Sequence, residues 1–277
     1  MRSILWSSLL ALSCLACQKP TPPVENEAPA EEDTLRTADP RQYAVLFVQQ
    51  AAEYRALCHQ SYQVATDRLR AILQADTVKR PAVILDLDET VLDNSPYAGW
   101  QVKNRAPYSP ETWQQWVEQA QAEAVPGALP FLKAADSLGV RLFYLTNRRE
   151  RGRQATLQNL RTLGVPQADS SHLLMRRTTS NKAPRRAVVT SKGFEPVLLL
   201  GDNLGDFRHL WDDVPRQKRW AGVRENRALF GRRFILLPNP VYGEWLGATY
   251  DYRYDLAPVQ KDSLRRAALE AAPLGSE

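Results

Sequence analysis

The spacing of apolar positions changes character near residue 80, and the two regimes predict different elements. Between Tyr43 and Leu73 apolar side chains recur at helical intervals: Tyr43, Leu46, Phe47, Tyr54, Leu57, Cys58, Tyr62, Ala65, Leu69, Ile72 and Leu73. This predicts one long helix, broken at most once. Beyond it, apolar residues come in short runs rich in Val, Ile and Leu, as in strands buried on both faces. The runs are Ala82 to Leu87, Val140 to Leu145, His172 to Met175, Val197 to Leu200 and Phe234 to Leu237. Between them Ser109-Pro110-Glu111 reads as an N-cap, a first-turn proline and an acidic first turn, starting a helix through Ala122. Further helices are expected at Ala128 to Leu138, Arg151 to Leu163 and Lys182 to Ser191. Strands alternating with helices predict an α/β fold with a parallel, doubly wound sheet and helices on both faces. The segment at about 91–139 is too short for a large independent cap and long enough for a small helical one.

The first 40 residues do not belong to that pattern. Lys19 to Pro40 is rich in Pro, Glu, Ala and Thr and is read, as residues 18–40, as a disordered tether. Ahead of it Arg2 precedes an apolar stretch from Ile4 to Ala16 that is too short to cross a bilayer, so 1–17 reads as an export signal. Ala16 directly before Cys17 resembles the lipobox of bacterial lipoproteins, in which the cysteine is acylated and becomes the mature N-terminus. The departure is Cys14, which stands where that pattern usually has Leu, so an ordinary cleaved signal is the alternative. The expectation is an exported cell-envelope lipoprotein, held by its lipid anchor, with residues 41–277 as the folded domain. Processing at Cys17 leaves only Cys58 in the folded part, so no disulfide framework is expected.

Composition narrows the picture modestly. A chain of 277 residues, 44% hydrophobic and 24% charged, can bury one sizeable core. Its formal net charge of +5 suits any anionic partner. Basic residues gather at Arg148 to Arg153 and Arg176 to Arg186, without the interleaved aromatics of a single-strand binding surface, so no nucleic-acid polymer is expected.

In a doubly wound sheet ligands collect at the carboxyl ends of the strands. There the first run leads into Asp86-Leu87-Asp88-Glu89-Thr90, the second into Thr146-Asn147-Arg148, and the fourth into Gly201-Asp202-Asn203-Leu204-Gly205-Asp206; Lys182 follows the third. Acid, hydroxyl, lysine and acid at four strand ends make a phosphoryl-transfer set. Clustered carboxylates need a hard cation between them, and oxygen ligands with water favour Mg²⁺. Asp86 can attack phosphorus, Asp88 can act as acid and base, and Thr146 and Lys182 can hold the equatorial oxygens. Glycines 201 and 205 are read as letting the backbone approach the ion. Acidic residues at strand ends are often only turn formers, and a lone Thr or Lys is commonly structural; all four in this order are not explained that way.

Val83 to Tyr97, Tyr144-Leu145-Thr146-Asn147-Arg148, Ser180-Asn181-Lys182 and Gly201 to Phe207 resemble the four motifs of the haloacid dehalogenase (HAD) superfamily. The extended first motif and the aspartates of the fourth are similar to class C acid phosphatases, bacterial outer-membrane lipoproteins with 5′-nucleotidase activity. The resemblance spans about Tyr43 to about Tyr250. It implies an HAD-like fold with a small helical cap, and a Mg²⁺-dependent acid phosphatase working through an aspartyl phosphate on phosphomonoesters, nucleoside 5′-monophosphates among them. It makes Asp86 the nucleophile, Asp88 the acid and base with its main-chain carbonyl on the metal, Asp202 the third metal ligand and Asp206 the residue that orients metal waters. Thr146 and Lys182 bind the phosphoryl group, with Asn147 beside them, while Trp113 and Tyr242 resemble aromatics that clasp the leaving group. An acidic optimum and a homodimer are further implications.

Other phosphatase chemistries lack their residues. None of His59, His172 and His209 lies in an Arg-His-Gly context, Val64 stands where a cysteinyl phosphatase built on Cys58 would need Arg, and neither a Gly-x-Ser-x-Gly elbow nor a Walker loop occurs. A rival of another class is a non-catalytic surface lipoprotein that binds a nucleotide or haem; it predicts decay of the acidic set, which is intact. A phosphotransferase or mutase of the same superfamily would need a larger cap.

Overall fold

The computed structural model describes residues 39–273. The export signal with Cys14 and Cys17, and nearly all of the tether, lie outside the described residues. The helical stretch ahead of residue 80 forms α1 (Gln42–Gln50) and α2 (Ala52–Gln74). They part at Ala51, whose ψ of 129° is extended.

Four parallel crossovers follow. They place β1 (Pro81–Leu85) at the centre, β4 (Arg141–Arg149) and β5 (Leu173–Arg176) on one side, and β6 (Glu195–Gly201) and β7 (Phe234–Leu236) on the other, in the order β5-β4-β1-β6-β7. All five correspond to the apolar runs, and the register explains why those runs show no alternation. Val83 pairs with Leu142 and Leu198, and Leu85 with Tyr144 and Leu200; all six enter one core. Ile84 pairs with Phe143 and Leu199, and these enter a second core on the opposite face. Each face is apolar because each is covered.

On the first face α1, α2, α5 (Ala128–Ser137) and α6 (Arg153–Thr162) supply Val45, Tyr54, Phe131 and Leu157. On the second, α7 (Ala183–Ser191) supplies Val189, joined by Phe207 and Trp211. Burying each such side chain contributes roughly 1.5–3 kcal/mol.

Within 91–139 a short ribbon pairs β2 (Leu92–Asp93) antiparallel with β3 (Glu123–Ala124). It encloses two helices, α3 (Ser95–Lys103) and α4 (Pro110–Gln119), before α5 rejoins the core. At the start of α4 the Ser109 hydroxyl accepts from the Thr112 amide at 3.1 Å. The helix stops before Ala122 because Ala120 turns left-handed at φ 51°. Ala122 is then buried, its amide donating to Asn159 Oδ1 (3.1 Å) and its carbonyl accepting from Asn159 Nδ2 (2.8 Å).

Three further helices, α8 (Arg216–Glu225), the short α9 (Glu244–Gly247) and α10 (Pro258–Ala267), complete the described chain. Among the described residues no helix is long and apolar enough to cross a membrane.

Candidate active site

At the carboxyl end of β1 the Asp86 amide donates to the Leu200 carbonyl at 3.0 Å, so the central strands stay paired as they deliver their acids. Asp86, Asp202 and Asp206 offer carboxylate oxygens that lie within 4.8 Å of one another. Lys182, buried at the start of α7, donates to Asp206 at 2.6 Å and to Asp86. Asp202 accepts from Asn239 Nδ2 at 2.8 Å and faces the Thr90 hydroxyl at 3.4 Å. The Asp206 carboxylate also accepts from the Asn203 amide at 2.9 Å.

Gly201 is needed here for space. A Cβ at Gly201 would run into the Asp206 side chain, and one at Gly205 into Asp212. The glycines therefore make room for carboxylates.

Asp88 belongs to a different sub-network. Its Oδ1 accepts from Arg148 Nε (2.9 Å) and Asn94 Nδ2 (3.0 Å), and its Oδ2 accepts from Thr146 Oγ1 (3.1 Å). The Arg148 guanidinium is itself buried; it reaches Thr156 at 3.2 Å and Asn94 Oδ1 at 3.1 Å, and lies 5.6 Å from the Trp113 ring centre. The Asp88 carboxylate is thus held by the protein, apart from the Asp86, Asp202 and Asp206 cluster.

The cavity over these residues has a volume of about 620 Å³. Asp86, Asp88, Lys182, Asp202, Asp206 and Asn147 line its floor, and Trp113 and Tyr242 line its walls. Thr146, fully buried, joins them through its bond to Asp88. All nine residues singled out from the sequence thus converge on one place. Two are engaged differently from expectation. Asn147 accepts from Arg185 (2.8 Å), which also holds the Thr146, Ser180 and Asn181 carbonyls and so ties two motif loops together. The Tyr242 hydroxyl donates to the buried Glu89, whose other oxygen accepts from the Asn94 amide at 3.0 Å.

Glu89, Asn94, Arg148, Arg185 and Asn239 join the site without being expected from the sequence. Three of them sit inside the motifs, where a bulky or charged residue at a buried strand end must find a partner; Arg185 and Asn239 carry no comparable signal.

Burial pushes the Asp86 carboxyl well above its ordinary range; Lys182 opposes this, and Asp206, Asp202 and Asp88 add to it. Burial and the charges of Asp88 and Asp202 do the same to Glu89. Asp202 is pushed up to about 6, by burial first and Asp206 second. Burial would lower Lys182, but Asp206 and Asp86 outweigh it and hold the ammonium above its ordinary value. The excess charge is negative, and it is concentrated on hard oxygen donors. That donor set fits a small divalent cation between Asp86, Asp202 and Asp206.

A parallel sheet that delivers acids and a lysine from four strand ends into one cavity defines an HAD-type phosphoryl-transfer protein. The family described as HAD superfamily, subfamily IIIB (acid phosphatase) matches residues 1–245. The chain belongs to this family. It is similar to the solved class C acid phosphatase of Bacillus anthracis, with 41% identity, 84% of this chain and 97% of that one covered, and a TM-score of 0.80. A structure of the Bacillus anthracis enzyme with tungstate bound, 40% identical, has the same coverage and TM-score. Among curated proteins the chain is 31% identical to acid phosphatase 1 of Solanum lycopersicum over 59% of each chain. It is 28% identical to vegetative storage protein 2 of Arabidopsis thaliana, over 76% of this chain and 69% of that protein. The match thus spans about three-fifths of the tomato protein's length.

Proposed function

We propose that this protein is a Mg²⁺-dependent phosphomonoesterase that acts on nucleoside 5′-monophosphates through an aspartyl-phosphate intermediate. The observation that carries the reading is the convergence of Asp86, Asp88, Lys182, Asp202 and Asp206 in one cavity. Asp86, Asp202 and the main-chain carbonyl of Asp88 would hold the metal, with Asp206 orienting its waters, and the bound metal would screen phosphate oxygens from the carboxylates. Asp86 Oδ attacks phosphorus and the ester P–O bond breaks as Asp88 gives its proton to the leaving oxygen. Asp88 then takes a proton from water, the water oxygen bonds to phosphorus, and the bond to Asp86 breaks. Lys182 and Thr146 stabilise the charge on the transferring group. Tungstate, bound by the Bacillus anthracis relative, is a tetrahedral oxyanion like phosphate, which supports an anion site of this kind. The aromatic walls, Trp113 and Tyr242 with Tyr97 and Tyr108, support a flat leaving group.

The test is inorganic phosphate release from a nucleoside monophosphate by the purified full chain, with Mg²⁺ and with excess EDTA. Metal-dependent release is expected, together with a loss on the order of 10⁴-fold or more in Asp86→Asn, because the amide cannot attack phosphorus. Release that survives in Asp86→Asn would sink the reading.

The lipobox-like Ala16-Cys17 supports export and anchoring at the cell envelope. Replacing Cys17, but not Cys14, by Ala is expected to move the protein from the membrane to the soluble fraction. Retention in the membrane would count against acylation at Cys17.

A further inference from the structure

Beside the active-site cavity lies a second one, of about 770 Å³, lined by Arg149, Arg151, Arg176 and Arg177 with Glu150 and Thr178. Arg149 at the end of β4 is the register partner of Arg176 at the end of β5. Like charges brought this close repel unless something offsets them. The lining offers one offsetting charge for four arginines. Its one carboxylate, Glu150, is already engaged by Arg153. None of Arg149, Arg176 and Arg177 has an ion-pair partner among the described residues.

The cavity is connected to the chemistry through Arg176, which lines both. Burial first, with Arg176 and Arg186 adding to it against Asp86, holds the neighbouring Arg185 down to about 10. The positive field therefore reaches the loops around Thr146. Along β4, Arg149 lies three residues beyond Thr146, across an irregularity that sets the two against adjacent residues of β5, Met175 and Arg176, so one strand end carries both the phosphoryl-binding threonine and the arginine.

We propose that the Arg149, Arg176 and Arg177 cluster is a subsite for a second phosphate of the same substrate, so that small bisphosphorylated esters, such as nucleoside 3′,5′-bisphosphates, are preferred over monophosphates. Arginine suits this task because its planar fork binds phosphate oxygens in pairs. The inference rests on the phosphatase reading, which supplies the first phosphate site.

Steady-state kinetics of the full chain on adenosine 5′-monophosphate and adenosine 3′,5′-bisphosphate test it. KM is expected to be about tenfold lower for the bisphosphate with similar kcat, the size of one or two charge-assisted contacts. In Arg149→Gln/Arg177→Gln this advantage disappears through the bisphosphate KM, while kcat on both substrates is kept. Equal KM values in the unmodified protein, or equal loss on both substrates in the variant, would overturn the subsite. So would a 5′-phosphorylated trinucleotide used better than the bisphosphate, which would point to a polymer. Calorimetric titration of both nucleotides in EDTA reads the same preference without turnover. A bisphosphate preference there, with no hydrolysis of either, would sink the phosphatase reading and leave the subsite standing.

Discussion

At the scale of single residues the site divides between acids that could hold a metal and one that is held by the protein. Asp88 is fixed by three donors, of which Arg148 is the only charged one. Arg148 reaches Asp88, Thr156 and Asn94 at once through the separate arms of its guanidinium. Lysine has a single ammonium and cannot reproduce that fork. Arg148→Lys is therefore expected to lower kcat by roughly 10- to 100-fold, the effect of misplacing a catalytic group by about 1 Å, with KM changed little. Its pH–rate profile is also expected to shift, because the group that moves is the one exchanging protons. An unchanged profile with lower kcat would mean that Arg148 acts on the fold rather than through Asp88.

At the scale of elements, the loop carrying Asn239 to Gly243 is tied to the site by two bonds, Asn239 to Asp202 and Tyr242 to Glu89. The Tyr242 ring lines the cavity while its hydroxyl is held by Glu89, so the two roles separate by substitution. Tyr242→Phe leaves Glu89 buried with one partner fewer and is expected to cost about 1–3 kcal/mol in urea unfolding, with the nucleotide KM nearly unchanged. Tyr242→Ala should also raise that KM several-fold, since stacking on a base contributes about 1–3 kcal/mol. Equal KM values in the two variants would remove Tyr242 from substrate binding. The same loop shows where the sequence was legible. The five strands stand out because both faces are covered, so Val83, Ile84 and Leu85 are all apolar. The N-cap at Ser109 carries its own chemistry. By contrast, α8 has no apolar stripe: its buried positions are Arg219 and Gly222, and Arg219 is satisfied by the Trp211 carbonyl. Nothing local announces such a helix, and nothing local announces that Asn239 meets Asp202 across 37 residues.

At the scale of the whole molecule, the fold concentrates acids where the sheet's strands end, although the chain is basic on balance. Asp202 shows the consequence. Its carboxyl rises from the ordinary 3.8 to about 6, through burial and then Asp206. Well below pH 3.8 it is protonated in both folded and unfolded chains and has no effect on stability. Between about 4 and 6 the unfolded chain releases that proton first, so the folded state binds more protons and stability falls as pH rises. Above about 6 the full loss is in place. In EDTA, Asp202→Asn should therefore match the unmodified protein near pH 4 and exceed its melting temperature increasingly up to pH 6–7. Mg²⁺ should reverse the order at neutral pH, because a cation that binds only the folded state stabilises the protein that retains its ligand. Melting curves across pH, with and without Mg²⁺, read both effects. If the two proteins run parallel in EDTA, Asp202 is not strained by its neighbours, and the case that this cluster is built for a cation weakens with it.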